Sequence, residues 1–183
     1  MTDRPDLSRR RFLHAGAASL LGLALGPAAA RAAAEVPRRL RLRNAHTGER
    51  LDVTYFETGL LPGAMGELDR FLRDFRTGEQ HPIDPGVLDI AWGLQRAAGR
   101  EGGELEIVSG YRSARTNQML RNHPDSGVAS HSLHLVGRAL DLRLPGTPTS
   151  RLRDLAVAMG RGGVGFYPAS DFVHVDTGRP RRW

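Results

Sequence analysis

The chain has no cysteine among its 183 residues. Its fold therefore cannot depend on disulfide bonds, and no thiolate is available as a metal ligand, a nucleophile or an attachment point for a lipid. Any metal ion in this protein must be held by histidine and carboxylate side chains. Zinc, or an ion of similar borderline character, suits such ligands best.

Lysine is also absent, so all 26 basic residues are arginines, and they stand against 20 acidic residues. Five of these arginines and two of the aspartates lie in the first 34 residues, which leaves 21 basic and 18 acidic residues in the rest of the chain. This mild positive charge suits an anionic polymer. Because the sequence has no stripe of alternating basic and aromatic residues, it predicts no nucleic-acid partner.

The N-terminal segment has an apolar run over residues 15–25. This run is too short for a stable transmembrane helix, which needs about 20 residues. A twin-arginine pattern, SRRRFL at residues 8–13, precedes it, and small-x-small cleavage sites follow at residues 30–34. We therefore predict that residues 1–34 are a cleaved twin-arginine signal peptide and that the mature protein is periplasmic, without a membrane span. A basic amphipathic helix that stays attached is the alternative.

The rest of the chain, residues 35–183, is predicted to form one α+β domain. Alternation of apolar and polar residues over 40–44 and 51–56 favours a β-hairpin around residues 46–48. Further strands are predicted at residues 105–108, 137–144, 163–167 and 172–176. The order of the elements favours a single compact domain with a small, mainly antiparallel sheet and helices packed on it.

Helices are predicted where apolar residues recur at helical spacing, over residues 62–76, 85–98, 114–121 and 148–159. Asp84 precedes Pro85 and is the expected N-cap of the second helix. Ser113 is the expected N-cap of the third helix, and either Thr149 or Ser150 that of the fourth.

Two histidines and one aspartate form the strongest chemical signal in the sequence. His134 and Asp141 belong to the pattern S-x-H-x-x-G-x-A-x-D at residues 132–141, and His174 begins a later H-x-D. Three nitrogen and oxygen ligands with one open position are what a catalytic zinc requires. The sequence therefore predicts one zinc ion per chain, bound on the sheet.

The spacing of these residues makes demands on the fold. His174 and Asp176 are two apart on a predicted strand and so share a face, which lets Asp176 serve as the partner of the second ring nitrogen of His174. His134 and Asp141 are seven apart, and on one continuous strand they would point to opposite faces. A turn or bend at Gly137 is therefore required if both bind one ion.

Three segments together resemble the zinc D-Ala-D-Ala metallopeptidases: SGYRS at residues 109–113, the pattern at 132–141, and residues 171–176. The N-terminal leader, the hairpin and residues 82–85 and 162–168 resemble the subfamily of MepK-like periplasmic murein endopeptidases. The resemblance implies a zinc-dependent hydrolase that acts on peptidoglycan stem peptides, as an endopeptidase on cross-links. A D,D- or L,D-carboxypeptidase and a non-catalytic module that binds cell wall or metal are the alternatives.

The resemblance also assigns roles to individual residues. His134, Asp141 and His174 match the zinc ligands, and Arg112 matches the arginine that polarises the scissile carbonyl. Asp171 matches the acidic general base, where many relatives have glutamate.

Four further residues are candidates for contacts with the metal ligands or with the substrate, and each also has an ordinary structural explanation. Tyr111 is expected in the wall or the core, and Asn117 and Ser132 are expected to orient substrate or to lie on a helix surface or in a turn. His131 is a rival metal ligand that we expect instead to line the cleft or to be exposed.

Overall fold

The computed structural model describes residues 36–123 and 127–183. The predicted signal peptide, residues 1–34, lies outside the described residues. The described residues form one compact unit. No helix within the described ranges is both long enough and apolar enough to cross a membrane.

The predicted hairpin is present and slightly longer than the alternation indicates. Strand β1 (Arg38–Asn44) pairs antiparallel with β2 (Arg50–Phe56). The Asn44 side chain accepts hydrogen bonds from the backbone N–H groups of His46 (2.9 Å) and Thr47 (3.0 Å), and these bonds fix the turn.

The first two helices connect the hairpin to the next strand. Helix α1 (Pro62–Phe71) ends five residues earlier than predicted, because Asp74 organises the following loop instead of continuing the helix. The Asp74 backbone N–H donates to the Glu79 carbonyl oxygen at 2.9 Å. Helix α2 (Pro85–Ala97) begins as predicted, with the Asp84 side chain accepting from the Gly86 backbone N–H.

The middle of the chain follows the predicted order. It comprises β3 (Glu104–Ser109), α3 (Ala114–Arg121), β4 (Ala139–Arg143) and α4 (Thr149–Met159). The Ser113 side chain caps α3 by accepting from the Thr116 backbone N–H at 3.2 Å. The predicted cap of α4 is wrong: Pro148 occupies the N-cap position without a side-chain hydrogen bond, because the Thr149 hydroxyl donates to Asp171 instead.

The closing strands include one that the sequence does not reveal. Strands β5 (Gly163–Tyr167) and β6 (Phe172–Asp176) pair antiparallel, as predicted. A short β7 (Arg181–Arg182) then pairs parallel with β5. Arg181 and Arg182 show none of the alternation of apolar and polar residues that predicts a strand. From periodicity alone, this segment would be a solvent-exposed C-terminal tail.

The seven strands form one sheet in the order β2-β1-β3-β4-β6-β5-β7. The sheet is mixed rather than mainly antiparallel, because β1 pairs with β3, and β5 with β7, in parallel. Parallel neighbours need a long crossover, which the segment containing α1 and α2 provides between β1 and β3. The predicted single α+β domain is otherwise confirmed for the described residues.

Alternation along the central strands separates the core from the functional face. Leu140 and Leu142 of β4 and Val173 and Val175 of β6 are buried in the hydrophobic core. Helices α2 and α4 both pack on β6 over this core. The intervening residues of the same strands point to the opposite face, so the chemistry-bearing side chains lie away from these helices.

Candidate metal centre

A row of residues crosses four neighbouring strands on the face opposite the core. Ser109 of β3 is paired with Asp141 of β4, which is paired with His174 of β6, which is paired with Gly165 of β5. Directly opposed residues of antiparallel strands project their side chains to the same face. Strand pairing thus places two of the predicted metal ligands side by side.

The third predicted ligand reaches the row from outside the strands. His134 lies in a short 3-10 helix, Leu133–Val136, which ends at Gly137 in the left-handed conformation (φ 63°). This is the turn that the odd spacing of His134 and Asp141 demands. A side chain at position 137 would also collide with the Pro82 carbonyl oxygen, 2.2 Å from where its Cβ would lie. Glycine is therefore required by both conformation and space.

Three ligand atoms, one from each residue, converge on one point. His134 Nε2 lies 3.2 Å from Asp141 Oδ1 and 3.2 Å from His174 Nδ1, and the last two atoms are 2.8 Å apart. Atoms around a tetrahedral zinc, each bound at about 2.0–2.1 Å, would be roughly 3.4 Å from one another. The donor set and its spacing therefore fit a small divalent cation.

The remaining ring nitrogens are held by second partners. His134 Nδ1 lies 2.6 Å from the Gly110 carbonyl oxygen, and His174 Nε2 lies 2.9 Å from Asp176 Oδ2. Such partners fix the tautomer and the orientation of a metal-binding imidazole. The predicted role of Asp176 behind His174 thus has the geometry it needs.

Burial and charge shift the pKa values of the three ligands in different directions. Burial lowers the pKa of His134, which keeps its imidazole neutral. Burial alone would raise the pKa of Asp141, but the two histidines and Arg112 outweigh it and hold that pKa well below its usual range. Burial would likewise lower the pKa of His174, but hydrogen bonds to Asp141 and Asp176 raise it.

Arg112 is held against the cluster from the loop that follows β3. Its Nε donates to the Ser109 hydroxyl at 2.9 Å, and its Nη2 pairs with Asp141 Oδ2. Asp141 therefore has one oxygen for a metal ion and one for the guanidinium. Arg112 also lines the cleft in which the cluster lies, so the structure brings it together with the predicted ligands.

The cleft has a volume of about 590 Å³. Ser132 and His131 line it, and the Ser132 hydroxyl accepts from the His134 backbone N–H at 3.4 Å. His131 is exposed and stays outside the convergent cluster, as expected for a cleft residue rather than a ligand.

The other two candidates do not line the cleft. Asn117 is buried, and its side-chain amide donates to the carbonyl oxygen of Ala129, which does line the cleft, at 3.2 Å. Tyr111 packs against the hydrophobic core and stacks on His81 with ring centroids 5.1 Å apart.

The structure does not bring Asp171 together with the metal cluster. Asp171 is exposed, adopts the left-handed conformation (φ 49°) and accepts a hydrogen bond from the Thr149 hydroxyl at 2.8 Å. Its neighbours Ser170 and Phe172 line the cleft, whereas Asp171 does not. Its assignment as the general base stays a prediction.

Two cleft residues that sequence patterns missed come from the end of the chain. Arg181 of β7 pairs with Asp176 through Nη2 at 2.7 Å, and the Trp183 ring lies 5.2 Å from the His174 ring. The Trp183 ring occupies the space above Gly165, where a Cβ would approach it to 2.7 Å. The only local signal in the sequence was Gly165, because a glycine inside a strand often marks a place where another group approaches the backbone closely.

The family of the chain follows from its match to a family model. The model described as peptidoglycan L,D-endopeptidase MepK matches residues 32–183. The chain belongs to this family. Among curated relatives, a peptidoglycan L,D-endopeptidase MepK of Escherichia coli is 40% identical over 184 residues, covering 99% of this chain and 100% of the relative. A probable peptidoglycan L,D-endopeptidase MepK of Haemophilus influenzae is 38% identical over 181 residues, or 97% and 96% of the two chains.

The MepK family is a branch of the M15 peptidases, which are metal-dependent, and the His-Asp-His group provides the side chains for a metal ion. The expected resemblance to a metallopeptidase family that acts on peptidoglycan is confirmed.

Proposed function

We propose that this protein is a zinc-dependent endopeptidase that hydrolyses peptide cross-links of peptidoglycan. The observation that carries the proposal is the convergence of His134 Nε2, Asp141 Oδ1 and His174 Nδ1 within 3.2 Å of one another in an open cleft. Membership of the MepK family supports the substrate class and the reaction.

The three converging side chains would hold the zinc ion. Bound there, zinc supplies Lewis acidity toward the scissile carbonyl and a nucleophile at neutral pH. Asp176 and the Gly110 carbonyl oxygen would keep both imidazoles oriented, with each proton on the nitrogen that faces away from the ion.

Arg112 would stabilise the negative charge that develops on the carbonyl oxygen. Its guanidinium lines the cleft and is anchored to Asp141 and Ser109, so it is already in place before substrate binds. One donor of this kind contributes about 3 kcal/mol to transition-state stabilisation.

Asp171 would accept the proton of the attacking water and return it to the leaving amine nitrogen. The support for this role is the resemblance of residues 171–176 to the family motif. Because its Oδ1 accepts from Thr149, the side chain must rotate, or the loop must shift, before it acts in the cleft.

We further propose that the enzyme works in the periplasm after export by the twin-arginine route and removal of residues 1–34. A peptidoglycan hydrolase must reach its polymer outside the cytoplasm, and a protein exported in the folded state keeps a site assembled from distant strands.

The test is digestion of purified sacculi with residues 35–183, with and without a chelator, followed by mass analysis of the products. Chelator-sensitive conversion of cross-linked dimers to monomers is the expected result and identifies the cleaved bond. Loss of a terminal residue alone would instead mean a carboxypeptidase, and zinc binding without any product would mean a non-catalytic module. His174→Ala should be inactive, whereas His123→Ala, at an exposed histidine outside the cluster, should be fully active.

A further inference from the structure

Three arginines line the cleft, and two of them form ion pairs with carboxylates. Arg112 pairs with Asp141, and Arg181 pairs with Asp176. Arg76 lines the same cleft, but within the described ranges no carboxylate forms an ion pair with its guanidinium. The nearby Asp74 carboxylate accepts from the backbone N–H groups of Ser113 and of Arg76 itself, both at 2.9 Å.

The Arg76 side chain is held in position by a stack of rings. The His46 and Phe75 rings are nearly parallel, with centroids 4.2 Å apart, and the Arg76 guanidinium lies 4.2 Å from the Phe75 centroid. His46 Nε2 lies 3.1 Å from the Val108 carbonyl oxygen, which ties the stack to β3. A cation on an aromatic face keeps its N–H donors at the edge free for a planar anion.

Arg76 also lies close enough to Arg112 for the two charges to interact. Partial burial lowers the pKa of Arg76 from its usual value, Asp74 opposes this, and Arg112 lowers it further. Two guanidiniums that line the same cleft repel each other. An anionic group of the substrate would relieve this repulsion.

We propose that Arg76 binds a free carboxylate of the substrate, so that the cleft selects peptides carrying a carboxylate near the scissile bond. This inference rests on the proposed function and names a specificity determinant within it. Arg76 is a binding residue: it touches the substrate away from the reacting atoms, and its loss is expected to raise KM far more than it lowers kcat.

The test compares cross-linked muropeptides with the same muropeptides after conversion of their carboxylates to amides. For the wild-type holoenzyme, amidation should lower kcat/KM by about tenfold or more, as expected for loss of one charge-assisted contact. For Arg76→Gln, the acid and the amide should be cleaved at nearly equal rates. Arg76→Lys should recover part of the preference, and Arg151→Gln, at an exposed arginine on α4 outside the cleft, should retain all of it.

A second measurement keeps the inference testable if no cleavage occurs. Calorimetric titration of acid and amide muropeptides into wild type and Arg76→Gln should show the same loss of preference in Kd. If only the proposed function were wrong, no cleavage would occur, but wild type would still bind the acid muropeptide more tightly than the amide and Arg76→Gln would not. An unchanged preference for the acid in Arg76→Gln, or an equal loss for acid and amide, would overturn the role of Arg76.

Discussion

Asp176 is fully buried and serves several partners at once. Besides His174 Nε2, it accepts from the backbone N–H groups of Gly163 (3.0 Å) and Gly178 (2.8 Å) and pairs with Arg181. Burial alone would raise the pKa of Asp176, but these hydrogen bonds lower it well below its usual range. Such a fixed carboxylate holds the His174 ring in one orientation.

Replacing Asp176 with asparagine should weaken metal binding by about 10- to 100-fold, the usual cost of losing an outer partner of a histidine ligand. Competition between the protein and a colorimetric zinc chelator would measure this change. Asp154→Asn, at an exposed aspartate on α4, is the matched control and should leave metal affinity unchanged. An Asp176→Asn protein with wild-type affinity would remove Asp176 from the proposed site.

Asp171 can be tested with a substitution that keeps its backbone conformation. Asparagine tolerates the left-handed region and can still accept from Thr149, so Asp171→Asn removes only the charge. If Asp171 is the general base, kcat should fall by about 10²- to 10⁴-fold while zinc stays bound.

Thr149→Ala provides the complementary variant for Asp171. It frees the carboxylate from its only side-chain partner among the described residues and should leave kcat equal to or above that of the wild type. Full activity of Asp171→Asn would mean that another group moves the proton, and His131, which lines the cleft, would then be the next residue to test.

At the scale of elements, the loop after α1 is organised by a buried aspartate. Asp74 is only 1% exposed and joins this loop to the N-terminus of α3 through the Ser113 backbone N–H. Burial alone would raise the pKa of Asp74, but hydrogen bonds from Thr116, Ser113 and Arg76 lower it. Asp74 therefore holds the backbone of Arg76 and the start of α3 together.

Asp74→Ala should destabilise the protein by about 1–3 kcal/mol, because buried N–H donors lose their acceptor. The pKa of Asp74 is lower in the folded state than its unfolded value of about 3.9. Its contribution to stability is therefore complete above that unfolded pKa and is lost as the pH falls through the folded pKa.

Urea denaturation at several pH values would measure this contribution of Asp74. The difference in unfolding free energy between wild type and Asp74→Ala should be constant near pH 7 and shrink below about pH 4. A difference that persists unchanged into acid would show that charge plays no part in it. Asp154→Ala should show little difference at any pH.

For the whole molecule, a bound metal ion would connect segments far apart in the chain. Its ligands come from the 3-10 helix Leu133–Val136, from β4 and from β6. An ion that binds only the folded state stabilises it by mass action, by about 2.7 kcal/mol at a free concentration of 100 times Kd.

Addition of zinc at that concentration should therefore raise Tm by roughly 5–10 °C for a domain of this size. Differential scanning calorimetry with and without a chelator would measure the shift. Asp141→Ala should abolish it, and His131→Ala, which removes the rival histidine, should keep it. A shift that survives in Asp141→Ala would place the ion elsewhere.

The sequence by itself determined the parts of this protein that depend on local chemistry. Capping side chains such as Asp84 and Ser113 bond to backbone groups two or three residues away, so their helices begin where the sequence predicts. The absence of cysteine limited the ligands to histidine and carboxylate, and the spacing of His134 and Asp141 required the bend that Gly137 makes.

Only the tertiary structure decided which distant segments meet. Contacts between segments far apart in the chain produce the parallel pairing of β1 with β3 and the row of Ser109, Asp141, His174 and Gly165 across four strands. They also place Arg76 and Trp183 in the cleft. Periodicity and capping report only neighbours along the chain, whereas strand order and register are set by the core as a whole. The cleft is assembled from such contacts, so the presence of Arg76 and Trp183 in its lining could not be predicted from local sequence.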